Sequence, residues 1–228
     1  MSHLQNEIKK EFQLERMIFF SDAVFAIAIT LLVIELKVPE LDEASDRKLL
    51  HALLHLSLKF IGFFISFFLI ALFWTVHHRI FSFVENYNPR LLWLNLFYLF
   101  TIVLMPFSSG LYGEYSYHIE MLIPYTVYVL NICLIGVANY ALLKYIGNPA
   151  NHLASRALTS EIVKLGIKRT VVSPAVFLVS LLIAFLTPVS IWFGVIARFF
   201  PVFIPLVMRL VRNTGKKSTV PEPENTLP

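Results

Sequence analysis

Residues 16–39 read RMIFFSDAVFAIAITLLVIELKVP. Between Met17 and Leu36 the run is interrupted only by Ser21, Asp22, Thr30 and Glu35, and a helix of ~20 largely apolar residues crosses ~30 Å of hydrocarbon. The stretch is predicted to span a membrane. Asp22 lies just inside the entry arginine, Arg16, and an ionisable side chain in hydrocarbon is expensive unless it faces protein or water. It is therefore the first candidate functional residue. On a wheel of ~100° per residue, Phe20, Val24, Leu31 and Ile34 fall within about 60° of Ile27, with Thr30 at the edge of the stripe. Asp22, Ala26, Ile29 and Val33 fall on the other side. By itself, an apolar stripe on a membrane helix reads as a lipid-facing or packed surface.

The rest of the composition agrees with a membrane protein. The chain is 57% hydrophobic and 15% charged, with a mean hydropathy of +0.70, whereas an ordinary soluble domain is roughly 25% charged. The net charge of +4 and pI near 9.2 do not point to nucleic acid, because the basic residues sit in connections between apolar spans, where topology explains them. Cys133 is the one cysteine, which excludes an internal disulfide and gives no metal-site spacing.

Working outward, the chain divides into a cytosolic segment 1–16, a six-helix transmembrane domain 17–211 and a disordered cytosolic tail 212–228. Spans are predicted at about 17–36, 53–76, 91–107, 121–146, 171–186 and 191–211, making the fold class all-α and integral to the membrane. The third span is expected to end at Pro106 and the turn residues after it, and Ala150–Arg169 to carry a short interfacial helix. Segment 1–16 mixes acids and bases without a signal-peptide cleavage pattern, so the first span is expected to be retained. Six spans place both termini on one side. That side collects 14 lysines and arginines, against Lys37, Arg47 and Lys48 on the other, so both termini are expected in the cytosol, with the chain in the cell (inner) membrane.

Arg16, Arg79 and Arg90 mark the cytosolic ends of three spans, which puts Asp22, Trp74, His77, Trp93 and Asn95 at a common depth. A buried hydrogen-bonded network of Ser21, Asp22, His77, Trp93 and Asn95 is expected to fix the rotation of the first helix, since such groups in hydrocarbon must be satisfied internally. An interfacial histidine pair and an aromatic belt are the plainer alternatives for His77, His78 and the tryptophans. His51 and His55 share a helix face, but no carboxylate or cysteine accompanies them, and they read as outer-interface residues rather than metal ligands. Asn131 and Asn139 read as interhelical hydrogen-bonding residues. Arg198 is left open between an ion pair, snorkelling and a watery crevice.

Arg16, Phe20, Ser21 and Asp22 together form R-x-x-x-F-S-D, and the match runs on through Ala26, Ile27 and Thr30 to Pro39. In these residues the chain resembles the transmembrane protein 175 family, potassium channels of lysosomes and of many bacteria. The resemblance implies a six-helix subunit of the bacterial branch, assembled as a homotetramer with the first helix of each copy lining a central pore. Ile27 would then be the apolar constriction, Thr30 an adjoining hydroxyl ring, and Leu31 and Ile34 further apolar layers. Potassium would be the permeant ion among monovalent cations, with no cofactor. Animal members are similar but duplicated, so one F-S-D copy implies four subunits.

The residues themselves constrain the mechanism. No TVGYG-type filter loop and no arginine ladder occur. The outer connections carry Glu40, Asp42, Glu43, Asp46, Glu114 and Glu120 against three bases, a field that would enrich cations. An ion-coupled secondary transporter using Asp22 is the competing reading, although no second motif copy marks an internal repeat. No H-E-x-x-H or G-x-S-x-G motif supports an enzyme.

Overall fold

The computed structural model describes residues 2–43, 45–204 and 209, and their side chains from residue 10 onward save 202 and 203. It is helical throughout. Helix α1 (Ser2–Leu31) tightens into a 3-10 turn, Leu32–Glu35. A short helix α2 (Asp46–His55) precedes α3 (Ser57–Phe81), then α4 (Pro89–Val103), α5 (Met105–Glu114), α6 (Leu122–Ile146), α7 (Ser160–Ala184) and α8 (Ile191–Phe199). A lone antiparallel bridge, Val84 with Ala154, is the only β pairing among the described residues.

Among the described residues, five segments are long and apolar enough to cross a membrane: Lys10–Glu35, Ser57–Phe81, Pro89–Glu114, Leu122–Ile146 and Ser160–Ala184. The sixth predicted span is described through α8 and the 3-10 turn Phe200–Phe203; most of its remainder, and the tail 212–228, lie outside the described residues.

Helix α6 forms the centre, packing on α4, α5 and α7. Its buried side chains include Tyr125, Tyr128, Ile132, Ile135, Leu142 and Ile146, steps of three, four and seven that keep one helical face inward. Gly136 permits the closest approach, since a Cβ there would run into the ring of Pro174 on α7. Asn139 of α6 donates to Thr170 of α7 at 3.1 Å.

Two boundaries differ from the sequence expectation. Pro106 does not end the third span: the helix bends at Leu104 and continues as α5 to Glu114, with Ser108 and Ser109 buried. Proline is tolerated in the first turn of α5, where its missing N–H is not needed. Across the bend, Asn131 of α6 replaces lost backbone bonding. With its nitrogen toward Thr101 O (3.1 Å) and its oxygen toward Met105 N (3.2 Å) and Ser108 Oγ (3.0 Å), its amide fills both halves of the broken i to i+4 bond. The second difference is in 150–169, where the expected interfacial helix is instead the first part of α7. Thr159 caps that helix by accepting from Ile162 N, and Glu161 stands in its first turn, a start signal that outweighs the charges of Lys164, Lys168 and Arg169.

Candidate functional site: one buried and one open face of the first helix

Helix α1 packs against α3, α4 and α5. Leu14, Met17, Ser21, Phe25, Ala28 and Leu32 are buried, and their steps of three and four draw one seam along the helix. The rest of the helix surface is open: Phe20, Ile27, Leu31 and Ile34 are 52%, 57%, 39% and 66% exposed, as are Phe19 and Val33 at 71% and 54%, with Thr30 also exposed and Val24 half-buried. Phe20, Ile27, Leu31 and Ile34 thus do not pack into their own bundle, whereas Val24, at the edge of the stripe, rests partly against the core. Ile34 stands in the 3-10 turn, where residues three apart eclipse, so it lies directly above Leu31. Thr30 Oγ1 donates to Ile27 O at 2.9 Å and turns its lone pairs outward.

The buried seam is pinned by polar groups. Ser21 Oγ donates to Met17 O at 2.7 Å, Asn95 Nδ2 donates to Ser21 Oγ at 2.8 Å, and His77 Nε2 meets Asn95 Oδ1 at 2.8 Å. Because Asn95 spends its N–H on Ser21 and offers its carbonyl to the ring, His77 is the donor in that last contact. The imidazole lies between Phe81 (4.1 Å, 21°) and Tyr98 (5.7 Å, 13°), with Phe25 at 5.5 Å. Ser21, Asn95 and His77 are all at most 2% exposed, so each polar atom depends on the next for its bonding.

Asp22 belongs to a separate, shallower pair. It accepts a hydrogen bond of 2.9 Å from Trp74 Nε1, and the Trp74 ring stacks on His78 at 5.2 Å. Trp93 does not join either set. It is 70% exposed, and the reason is angular: two residues of helix turn through ~200°, so the register that buries Asn95 points Trp93 away. Trp74 fills the expected role instead, one helix turn before His78. Of the R-x-x-x-F-S-D residues, Ser21 and Asp22 face the bundle, whereas Phe20 is exposed and Arg16 lies over the Phe12 ring at 5.7 Å.

Residues 16–106 match the family described as endosomal/lysosomal potassium channel TMEM175. A potassium channel from Chamaesiphon minutus is 33% identical over 176 residues, covering 77% of this chain and 85% of that one. The chain belongs to the TMEM175 family. Its members are ion channels, not enzymes. A potassium channel from Streptomyces collinus is 38% identical over 96 residues, 42% of this chain and 46% of its own length. Among solved structures, a lysosomal potassium-selective channel TMEM175 homolog from Chamaesiphon minutus superimposes with a TM-score of 0.69 at 29% identity, covering 87% of this chain and 99% of that one. The matched residues 16–106 contain the whole polar set, Ser21, Asp22, Trp74, His77 and Asn95, and close at the Pro106 bend.

Proposed function

We propose that this TMEM175-family member is a potassium-permeable cation channel built from four copies, with α1 of each copy lining a shared axis and both termini in the cytosol of the cell (inner) membrane. The observation that carries the reading is the division of α1 into a seam locked by Ser21, Asn95 and His77 and an open apolar surface that includes Ile27, Leu31 and Ile34. Six spans per copy, with no re-entrant filter loop, surround that axis, and no cofactor takes part.

Four Ile27 side chains around the axis form a neck that dewets when closed, because water and ions leave an apolar constriction too narrow to hydrate them. Leu31 and Ile34, in one line, add two further layers. Thr30 contributes oxygen. Its proton is engaged by Ile27 O, so its lone pairs are what a partly dehydrated cation meets, favouring potassium over the more strongly hydrated sodium. Ser21, Asn95 and His77 act by position only, holding α1 at the rotation that presents Ile27; Asp22 and Trp74 hold its flank.

The test is a recording from purified protein in a planar bilayer under a potassium gradient. Discrete unitary steps that reverse near the potassium equilibrium potential are expected, with Ile27→Ala raising the leak and lowering selectivity. Slow saturable flux without unitary steps would replace the pore by an ion-coupled carrier, and unchanged currents in Ile27→Ala would remove Ile27 from the constriction.

A further inference from the structure

At the end of the bundle opposite the Ser21, Asn95 and His77 chain, a cavity of about 60 Å³ lies between α3, α5 and α8. The polar side chains lining it are Tyr112, Ser116 and Arg198, and no carboxylate is among its walls. All three are hydrogen-bond donors. Ser116 is 5% exposed, and neither its hydroxyl nor Arg198 Nε has a partner. The remaining Arg198 bonds are long: 3.3 Å to Gly194 O, 3.5 Å to His118 O and 3.4 Å to Met121 O. Of the two acids nearest in sequence, Glu114 pairs with Lys59 at 2.7 Å and Glu120 contacts His118 at 3.4 Å while sensing the Arg198 charge only at longer range. The guanidinium also lies over the Tyr125 ring at 5.8 Å and meets the Tyr112 hydroxyl, but among the described residues no carboxylate pairs with it, and its Nε–H and the neighbouring Ser116 hydroxyl are left without a protein partner.

We propose that this cavity binds a phosphate-type oxyanion, gripped by Arg198 Nε–H and the Ser116 hydroxyl, with the Tyr112 hydroxyl beside the guanidinium. Arginine suits an oxyanion because its fork presents two parallel N–H groups, of which Nε–H is free here. The mouth is apolar, with Ile61 and Phe199 39% and 46% exposed, and Leu58 is the second residue of α3. The site therefore opens near the helix ends, where lipid headgroups lie, and its oxyanion has two sources: free inorganic phosphate or the phosphodiester of an anionic lipid such as phosphatidylglycerol. This site is independent of the conduction pathway proposed above.

Thermal unfolding of the full-length, delipidated protein in detergent tests it, since a ligand that binds only the folded state raises its unfolding temperature. One arm titrates potassium phosphate against potassium gluconate at matched ionic strength; the other titrates short-chain phosphatidylglycerol against an uncharged lipid of the same chain length. A saturable rise of about 5 °C is expected at a hundredfold excess over Kd. A rise in the phosphate arm identifies the free ion, and a rise in the lipid arm alone identifies the headgroup. Ser116→Ala removes only an unpartnered hydroxyl, so it folds, and it should weaken the binding several-fold; Arg198→Met should abolish it. No rise in either arm, or the same titration curve for the native chain and Ser116→Ala, overturns the proposal, and neither readout involves a current.

Discussion

The Thr30 hydroxyl can donate one proton, and Ile27 O takes it. Thr30→Val keeps the shape and removes the oxygen; it should lower the potassium to sodium permeability ratio several-fold with little change in folding, as measured by reversal potentials in mixed-ion solutions. Asn95 is the opposite case. Its side chain bonds to both neighbours in a fully buried place, so Asn95→Leu leaves the His77 donor without an acceptor and takes from Ser21 Oγ the one hydrogen bond it accepts. Each unsatisfied group costs ~1–3 kcal/mol, and thermal unfolding in detergent should register the loss while the unitary conductance of surviving channels stays unchanged. These residues also show where sequence reading succeeds and stops. Ser21, Asn95 and His77 are polar groups at one depth of an apolar bundle, and the need to satisfy them in hydrocarbon leads to one another. Trp93 has the same depth, but its direction depends on the rotation of α4, which depth does not encode.

Helix α6 and the bent α4–α5 pair depend on each other through Asn131 and Gly136. At the bend, the Asn131 amide serves both Thr101 O and Met105 N, and Asn131→Leu withdraws both bonds at once. A loss of ~2–6 kcal/mol is expected from two buried backbone groups, read as reduced unfolding temperature and as faster amide exchange at Met105. Gly136→Ala drives a methyl into Pro174, an overpacking that costs ~1–3 kcal/mol; adding Pro174→Ala should recover most of it, a coupling that a double-mutant cycle measures. The five spans carried by the described residues are legible in the sequence because length and hydropathy determine them. The bend was not, because Pro106 reads as a terminator until a partner amide from another helix is in place, and α7 began earlier than expected because a Thr159 cap is a local signal that a hydropathy window averages away.

The protomer as a whole buries one side of α1 and leaves the other side bare, with Phe20, Ile27, Leu31 and Ile34 all exposed. A contiguous apolar face of this kind is covered by lipid or by other copies of the chain. Under the four-copy arrangement, native mass spectrometry from detergent should read four times the 26.2 kDa chain mass, and a charged substitution at Ile27 should disturb conduction, whereas the same substitution at the still more exposed Trp93 should disturb only membrane insertion. A monomer mass, with currents retained, would require a different path for the ion.

The change of winding at Leu31 has a mechanical corollary. Three residues advance ~300° in an α-helix and a full turn in a 3-10 helix. If the Leu32–Glu35 turn relaxed to α winding, Ile34 would swing about 60° off the line of Leu31 while Ser21 and everything below it stayed still. One layer of side chains would be re-aimed by uncoiling four residues, and no rigid-body motion of the bundle would be needed.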